Sequence, residues 1–347
     1  MHIKERLFGK TAGKEVMAIT LTNRSGASIT AMTYGASLLE WSVPDKAGKF
    51  DNITLAFDNL EDYVTHRPFY GATVGRVAGR VAHGSFEIDG DPYQLETNQE
   101  TNHLHGGNSG LDTKVWDYQT EQDDQEARII FSYLDAEGSN RYPGNLKIQV
   151  TYTFTEDNKW KINYQAETDA PTLFNPTNHV YFNLHGTVSK TILDHQLFVD
   201  ADRFVELNEQ SIPTGRRPDV AGPPFDFRTA RLTSQATEST HPQTLQVSGL
   251  DHPFVLNHDA NRLDVSLYDP QSGRKITMKT SEPVVVIFMH NGASPLKIAN
   301  NPIPAYAGIT LETQDYPDAI NQAHFGSIVL RPGETYRSET TYSFHIE

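Results

Sequence analysis

The sequence predicts an all-β fold in which antiparallel sheets form a sandwich or a barrel. Three observations lead to this prediction. Apolar and polar residues alternate with a period of two over many short stretches, as they do in a half-buried strand. Residues that favour tight turns separate these stretches. Helical periodicity is scarce, so the regular crossovers that a parallel βαβ sheet requires are missing.

Two hairpins are predicted in the first half of the chain. Ser85–Ile88 and Tyr93–Glu96 alternate on either side of residues 89–92, whose sequence Asp-Gly-Asp-Pro favours a turn. Leu146–Phe154 and Lys159–Tyr164 alternate in the same way and are joined by a second turn. Each pair is therefore expected to form two adjacent antiparallel strands.

The second half of the chain repeats this pattern. Leu263–Tyr268 and Lys275–Met278 flank a turn, and Tyr336–Ile346 alternates near the end of the sequence. Only short helices are expected, and the candidates are Asn59–Tyr63, Thr229–Ala236 and Pro317–Asn321. A β scaffold carries its binding groups on long irregular segments, here Thr97–Thr113, Asn208–Phe227 and Asn291–Gly308.

The length and composition favour one large domain. The chain has 347 residues, enough to bury a substantial core, and its Gly and Pro residues are scattered rather than gathered into a linker. Because all-β domains often exceed the usual domain size, we predict a single domain over residues 1–347.

Charge and cysteine content exclude several functions. A formal net charge of −15 argues against nucleic acid and anionic membranes as partners, because both bind cationic surfaces. The absence of cysteine excludes thiol catalysis, disulfides and cysteine-ligated metals. The start of the chain has no apolar core of signal-peptide length, and the strongest apolar run, Val284–Met289, is too short to span a bilayer. We therefore expect a soluble cytoplasmic protein.

Familiar catalytic motifs are absent. The chain has no G-x-S-x-G, no Walker loop, no H-E-x-x-H and no G-x-G-x-x-G that opens a helix. Any chemistry must therefore come from polar residues in separate segments.

The first such segment holds two arginines four residues apart, Arg76 and Arg80. They either point into a cleft or form structural ion pairs. Taken alone, each is more often structural.

The second segment contains His103 and His105, which share a face if the backbone is extended. Two histidines on one face raise the question of a metal site. Third and fourth ligands at suitable spacing are missing, so we predict no metal. Gly106 and Gly107 allow a close backbone approach, which places His105 better than His103 beside a ligand.

The third segment is Asn175–Leu184. In strand geometry His179, Tyr181, Asn183 and the following His185 face one side and alternate with apolar residues. Histidine is the side chain most readily poised to exchange protons near neutral pH, so His179 is a candidate acid or base. A solvent-exposed strand face explains the same stripe equally well, and His185 looks like a strand end.

Two carboxylates complete the set of candidates. Asp251 precedes a His-Pro pair, where capping a turn is the commoner role. Glu312 follows an apolar strand and opens a polar segment, a position suited to a catalytic carboxylate. The nearby Asp315 and Asp318 more often cap or solvate a turn.

Five segments, in order along the chain, carry a resemblance to a known family. They are G-R-V-A-G-R at 75–80, L-H-G-G at 104–107, N-P-T-N-H-V-Y-F-N-L at 175–184, L-D-H-P-F at 250–254 and L-E-T-Q-D-Y-P-D-A-I-N at 311–321. The chain resembles the aldose 1-epimerases, the galactose mutarotase family, over most of its length. The resemblance implies a β-supersandwich fold and interconversion of the α and β anomers of free aldoses such as galactose and glucose, without a metal or an organic cofactor.

The same resemblance implies roles for five residues. Glu312 would remove the proton from the C1 hydroxyl, and His179 would donate a proton to the ring oxygen. His105 would be a second imidazole near that oxygen, while Arg80 and Asp251 would hydrogen-bond sugar hydroxyls. Because an ordinary glutamate pKa of about 4.3 makes a weak base, we expect burial to raise the pKa of Glu312.

Three further residues are expected at the substrate. Tyr181 lies on the predicted face of His179. Phe288 packs either against the apolar face of the sugar or in the core. The family pattern has Asn immediately before the second arginine and this chain has Gly79, so an amide contact to the sugar is lost and the sugar preference is open.

Two other functions stay open. A related epimerase could act on a disaccharide or on a sugar 6-phosphate, and a phosphate would need cationic side chains, for which Arg76, Arg141, Arg216 and Arg217 are available. A carbohydrate-binding sandwich without catalysis would need aromatic and hydrogen-bonding groups but no acid–base pair. The expected partner in each case is a small sugar, and the chain is expected to be a monomer or a homodimer.

Overall fold

The computed structural model describes residues 1–347, and most of its regular structure is β. In the first half of the chain the strands are β1 His2–Thr11, β2 Lys14–Thr22, β3 Ser28–Met32, β4 Ser37–Pro44, β5 Phe50–Asn52, β6 Thr73–Val74, β7 Arg80–Val81, β8 Ser85–Ile88, β9 Asp91–Gln94, β10 His103–Leu104, β11 Asp117–Gln122, β12 Glu126–Asp135, β13 Leu146–Thr155, β14 Lys159–Thr168 and β15 Thr172–Leu173. In the second half they are β16 Thr177–Asn178, β17 Tyr181–Phe182, β18 Gln196–Val199, β19 Ala201–Phe204, β20 Arg231–Leu232, β21 Asp251–Leu256, β22 Val265–Tyr268, β23 Arg274–Thr280, β24 Val284–Phe288, β25 Ser294–Ile298, β26 Asn301–Ile303, β27 Ile309–Thr310, β28 Glu312–Gln314, β29 Val329–Leu330 and β30 Tyr336–Ile346. The α-helices are α1 Leu60–His66, α2 Ser234–Thr237 and α3 Pro242–Val247, and 3-10 turns occur at Ala82–Gly84, Leu111–Thr113, Ser139–Arg141 and Ala319–Asn321.

The largest sheet has nine strands in the order β11-β12-β13-β14-β30-β23-β22-β18-β20, and neighbouring strands are antiparallel. Its register follows from alternation, as in β13, where Leu146, Ile148 and Val150 are buried between exposed polar residues. The last strand of the chain, β30, lies in the middle of this sheet between β14 and β23, so the sheet joins segments that are distant in sequence.

A five-stranded sheet, β1-β2-β3-β4-β5, packs across the nine-stranded sheet and closes a sandwich. The main core cluster of 52 buried apolar residues draws on both sheets. Trp41 of β4 and Trp160 of β14 meet edge to face with ring centroids 5.9 Å apart. Phe182 of β17 packs on Trp41 as well, which anchors the Asn175–Leu184 segment to the centre of the core.

A four-stranded sheet, β19-β21-β24-β28, carries three of the sequence-predicted site residues. Its register pairs Asp251 with Phe288 and Val286 with Glu312. Directly opposed residues point to the same face of an antiparallel sheet, and residues two apart on one strand do so too. Asp251, Phe288 and Glu312 therefore lie on one face although they are distant in sequence.

The predicted β elements are confirmed with small shifts at their ends. The hairpin β8–β9 turns at Asp89 and Gly90, both at positive φ, and β9 begins at Asp91, two residues earlier than predicted. Asn59 caps α1 by accepting a hydrogen bond from the Asp62 N–H, and the helix extends to His66.

The other helix predictions are partly wrong. The Thr229–Ala236 candidate overlaps only the short α2, and α3 was not predicted although Pro242 stands at its first position. The Pro317–Asn321 candidate forms a single 3-10 turn. The segment Asn291–Gly308 is less irregular than expected because it contains the hairpin β25–β26. The longest α-helix, α1, has seven residues, so none of the helices could span a membrane.

Candidate active site

The residues predicted to form the site line one cavity of about 240 Å³. They come from six separate segments and are Gly79, Arg80, His105, His179, Tyr181, Asp251, Phe288 and Glu312. The tertiary structure thus brings together every residue of the predicted set. Their chemical roles stay a prediction.

Glu312 is the first residue of β28 and is almost completely buried. Its Oε1 accepts a hydrogen bond of 2.9 Å from the Thr310 hydroxyl and lies 3.4 Å from Nε2 of His179. Burial raises the pKa of Glu312 to about 7, as expected from the sequence, because a low-dielectric site disfavours the charged carboxylate. Near neutral pH this carboxyl group therefore exchanges a proton readily.

His179 follows β16 and is held by its backbone. Its N–H donates to the carbonyl of Ala72, and its carbonyl accepts from the N–H of Gly71. The side chain is about 5% exposed, and its Nδ1 has no hydrogen-bond partner. Burial lowers the pKa of His179 to about 4, so the isolated imidazole is neutral at pH 7.

The alternative of a solvent-exposed strand face is wrong for this segment. Residues on both of its faces are buried, including Tyr181 and Asn183 on the polar side. The Asn183 amide donates to the carbonyls of Lys190 and Ala307, so this residue is structural. The polar stripe faces the inside of the molecule, because the segment is covered on both sides.

His105 is held in an unusual backbone conformation beside His179. Its φ is +50°, and the following Gly106 and Gly107 are at +82° and +86°. A side chain at position 106 would overlap the carbonyl oxygen of Gly75, so glycine is required there. The two imidazole rings meet edge to face with centroids 5.3 Å apart, and burial lowers the pKa of His105.

Gly79 fixes the tautomer of His105. Its N–H donates to Nδ1 of His105 over 3.2 Å, so the proton of the neutral ring is on Nε2. Gly79 is at φ +68°, and a Cβ there would lie 3.0 Å from Cβ of Pro317. A side chain at this position therefore crowds the cavity wall, and glycine contributes its backbone N–H instead.

Arg80 and Asp251 form a looser polar pair at the cavity. Nη1 of Arg80 is 4.0 Å from Oδ2 of Asp251, and Nε of Arg80 donates to Gln99 over 2.7 Å. Burial raises the pKa of Asp251 to about 6, against the opposing effect of the Arg80 charge. Both side chains keep some exposure, 18% and 23%, so a ligand can reach them.

Aromatic rings form the rest of the wall. Phe288 is half-buried and lines the cavity next to Tyr181, with ring centroids 6.0 Å apart. Sequence reasoning missed Phe69, which also lines the cavity and packs on His105 at 5.0 Å and on His179 at 5.7 Å. A lone aromatic after a short helix carries no signal that distinguishes it from a core residue.

Sequence reasoning also missed Gln314 in the cavity wall. This residue is buried, and neither polar atom of its amide has a hydrogen-bond partner. It stands two residues after Glu312 on β28 and therefore faces the same side. That strand spacing is the signal that could have identified it.

Comparisons with known proteins show which family this chain resembles. The family model described as Aldose 1-epimerase matches residues 17–343. A galactose mutarotase from Pongo abelii is 36% identical over 321 residues, which cover 92% of this chain and 91% of that protein. A maltose epimerase from Levilactobacillus brevis is 34% identical over 346 residues, 99% of each chain. The crystal structure of a galactose 1-epimerase from Lactobacillus acidophilus superposes with a TM-score of 0.89 at 33% identity and covers 99% of both chains.

The chain belongs to the aldose 1-epimerase family. It is therefore an isomerase that interconverts the α and β anomers at C1 of aldoses. The fold expected from the resemblance is confirmed as well, since the matched crystal structure covers nearly the whole chain.

Other candidate residues of this epimerase lie away from the cavity. His103 is fully buried and bonds the Tyr142 hydroxyl and the Glu96 carbonyl, so it does not join His105 in a ligand pair. Arg76 is structural, as the sequence favoured, because its buried guanidinium pairs with Asp135 over 2.7 Å and donates to backbone carbonyls.

The aspartates near Glu312 accept hydrogen bonds from backbone N–H groups. Asp315 accepts from the Tyr316 N–H, and Asp318 accepts from the Ala82 N–H. Asp318 precedes the 3-10 turn Ala319–Asn321 but makes no side-chain capping bond to it, and it is only 1% exposed, so the prediction that it caps or solvates this turn is wrong. Asp251 differs from its commoner role because it begins β21 instead of capping a turn.

His105, His179 and Glu312 also have the spacing of potential metal ligands, with one donor atom from each within 4.8 Å of the others. Two nitrogens and one oxygen could hold a divalent cation such as zinc. The same three groups form an acid–base set, and mutarotation requires only proton transfers.

Proposed function

We propose that this epimerase acts on free aldohexoses, galactose or glucose, with Glu312 as the base and His179 as the acid. The observation that carries the proposal is the 3.4 Å separation of Oε1 of Glu312 and Nε2 of His179 inside a sugar-sized cavity. Both groups are buried, and the usual order of their pKa values is reversed. The pKa of Glu312 is raised to about 7, and that of His179 is lowered to about 4.

The reaction needs two coordinated proton transfers. Glu312 takes the proton of the C1 hydroxyl while His179 gives a proton to the ring oxygen, and the bond between C1 and the ring oxygen breaks to give the aldehyde. Rotation about the C1–C2 bond presents the other carbonyl face. Ring closure then reverses both transfers and restores the enzyme. Each transfer typically contributes about 10²–10⁴-fold.

The pair must hold one proton to react. Removing the C1 proton requires ionised Glu312, and protonating the ring oxygen requires charged His179. In the free enzyme burial favours the neutral form of each group, but an ionised carboxylate 3.4 Å away stabilises the imidazolium. The pair thus holds one proton in both states. This proton is on Glu312 in the free enzyme and on His179 in the reactive arrangement.

The remaining wall residues orient the sugar in this proposal. Arg80 and Asp251 bind ring hydroxyls, and Phe288 and Tyr181 pack against apolar C–H groups. His105 points its Nε2–H towards the ring oxygen, since its Nδ1 is occupied by the Gly79 N–H. Binding at the far hydroxyls leaves C1 free to rotate.

A sugar phosphate is a poor fit to this cavity. Arg80 is its only Arg or Lys, and the lining also contains two carboxyl groups. Arg76 is buried against Asp135, and Arg216 pairs with Glu206. Arg217 stacks on Tyr316 and Phe325. The arginines that the sequence offered for a phosphate are therefore engaged elsewhere or exposed.

A disaccharide is the second candidate substrate. The specific support is the maltose epimerase relative, which matches over 99% of both chains. A carbohydrate-binding role without catalysis is less well supported, because binding alone gives no reason to bury a carboxyl group beside an imidazole.

Polarimetry on freshly dissolved α-galactose, α-glucose and maltose tests the proposal. We expect the enzyme to accelerate the approach to anomeric equilibrium of at least one free aldohexose. Faster equilibration of maltose alone would favour the disaccharide. A folded protein that accelerates none of the three would contradict the proposed function.

We also propose that residues 1–347 form a single domain, because the main core draws on strands from β2 to β30. The monomeric or homodimeric state and the cytoplasmic location stay predictions.

A further inference from the structure

We propose that Arg67 and Asp112 form a clamp that positions His105 and Phe69 against His179. Neither residue lines the cavity, so both are positioning residues that act through the groups they hold. The inference rests on the proposed function, because that proposal is what assigns His105 to the reaction.

The two side chains form a bidentate ion pair. Nε and Nη2 of Arg67 lie 2.6 Å and 2.8 Å from the two carboxylate oxygens of Asp112. The Asp112 side chain is 3% exposed and that of Arg67 22%. Arg67 is itself fixed, since it ends α1 at φ +46° and its N–H donates to the Tyr63 carbonyl. The clamp therefore ties the end of α1 to the 3-10 turn that contains Asp112.

The same guanidinium closes the loop that carries His105. Nη2 of Arg67 donates to the carbonyl of Gly107 over 2.8 Å, and Nη1 donates to that of Asn108 over 3.0 Å. His105 needs this support, because a residue other than glycine at φ +50° is held in a sparsely populated conformation. Two hydrogen bonds from Arg67 thus hold the loop immediately after the imidazole, and two more fix the guanidinium on Asp112.

The clamp also reaches Phe69. The Arg67 guanidinium lies over the Phe69 ring at 5.0 Å, a cation–π distance. Phe69 in turn packs on both imidazoles, His105 and His179. Arg67 therefore holds His105 from its backbone side through the loop and from its ring side through Phe69.

Only arginine has the geometry for this arrangement. Its planar fork binds a carboxylate with two nitrogens while its remaining N–H groups reach backbone carbonyls, whereas lysine offers a single ammonium group. Burying the pair costs desolvation energy, so stability alone is a weak reason to keep it. Placement of the catalytic groups is a stronger one.

The test is the variant Arg67→Lys, which keeps the charge and loses the fork. Because small displacements of catalytic groups can cost up to about 100-fold, we expect kcat on the preferred aldose to fall about tenfold or more. KM should stay within about threefold, since Arg80 and Asp251 still hold the sugar. The matched control is Arg331→Lys, which breaks the exposed bidentate pair with Asp89 outside the cavity and should leave kcat unchanged.

A double variant separates positioning from general destabilisation. If the clamp acts through His105, adding Arg67→Lys to His105→Asn should lower kcat little further. Wild-type kcat in Arg67→Lys, or losses that multiply in the double variant, would overturn the clamp. Should Arg67→Lys fail to fold, Asp112→Glu displaces the carboxylate while keeping both charges and is evaluated by the same criteria. An inactive wild-type enzyme would instead contradict the proposed function.

Discussion

Two clusters of histidines and carboxylates lie in this molecule, and they differ in how completely they are hydrogen-bonded. One is His105, His179 and Glu312 at the cavity, and the other is His185, His195 and Asp269, which we call the second cluster. In the second cluster the donors and acceptors match. His185 meets Asp269 at 3.0 Å through Nδ1 and Asp194 at 2.9 Å through Nε2, and Nε2 of His195 accepts from the Leu184 N–H.

The pKa values of His185 and Asp269 shift in the opposite directions to those of His179 and Glu312 at the cavity, whereas burial lowers the pKa of His195 as it does that of His179. Burial alone would lower the pKa of His185, but its hydrogen bonds to Asp269 and Asp194 raise it. Burial likewise opposes the fall in the pKa of Asp269, which the hydrogen bond from His185 produces. At the cavity desolvation prevails instead, raising the pKa of Glu312 and lowering that of His179.

The difference shows what separates a structural cluster from the proposed catalytic one, although both are built of the same residue types. Paired groups keep their charges and stabilise the fold, whereas desolvated groups with incomplete partners are poised to exchange protons. The second cluster is also a poor metal site. His195 already uses Nε2 as an acceptor, so a metal at Nδ1 would require loss of the remaining ring proton.

The largest expected difference between the clusters is in turnover. Glu312→Gln and His179→Asn should each lower kcat by about 100-fold or more, because each removes one of the two proton transfers. Steady-state polarimetry or a coupled sugar assay measures this, with circular dichroism to confirm folding. His185→Asn is the matched control from the second cluster. A near-wild-type rate in either cavity variant would remove that residue from the catalytic pair.

The pH dependence of kcat/KM sharpens the comparison with a smaller effect. The pair must hold one proton, so kcat/KM should fall as the pH rises above about 7, because Glu312 of the free enzyme then loses that proton. It should also fall as the pH drops below about 4, because His179 then gains a second proton. The upper limb should approach tenfold per pH unit. A rate that rises through pH 7 and stays high would mean that ionised Glu312 works with a neutral histidine.

The smallest effect on turnover is expected for His185→Asn, which should change kcat less than threefold. It should instead lower the free energy of unfolding by about 3 kcal/mol, since it leaves buried Asp269 without its cation. The raised pKa of His185 sets the sign of the pH dependence. Its contribution is complete below pH 6.5 and is lost as the pH rises through the folded-state pKa.

Chemical denaturation at pH 5.5 and pH 8.5 measures this contribution, and the difference from the wild type should be larger at pH 5.5. Glu312→Gln should have the opposite effect on the free energy of unfolding. Because the folded-state pKa is raised from 4.5 to about 7, ionised Glu312 destabilises the fold above that range, and the variant should be more stable than the wild type at pH 8.5. A stabilising His185→Asn variant would contradict the assignment of the second cluster as structural.

The sequence predicted the strands better than the helices. Period-two alternation and turn residues located β13, β14 and β30 within a few residues, because both signals are local. The helix α3 was missed since only a proline marks its start. Seven of the eight predicted cavity residues lie in the five motifs, and Phe288 was proposed from its place in an apolar strand. Phe69 lies outside the motifs, and Gln314 lies within the last one, where only its spacing from Glu312 distinguishes it.

The sequence by itself determined that this is an antiparallel β protein with the residues of an aldose 1-epimerase, because alternation, turn chemistry and motif order are all written along the chain. It left open in which protonation state the histidines are held. The tertiary structure decided that. Whether a histidine is paired like His185 or desolvated like His179 depends on partners and covering residues far away in sequence, and these meet only when the sheets pack.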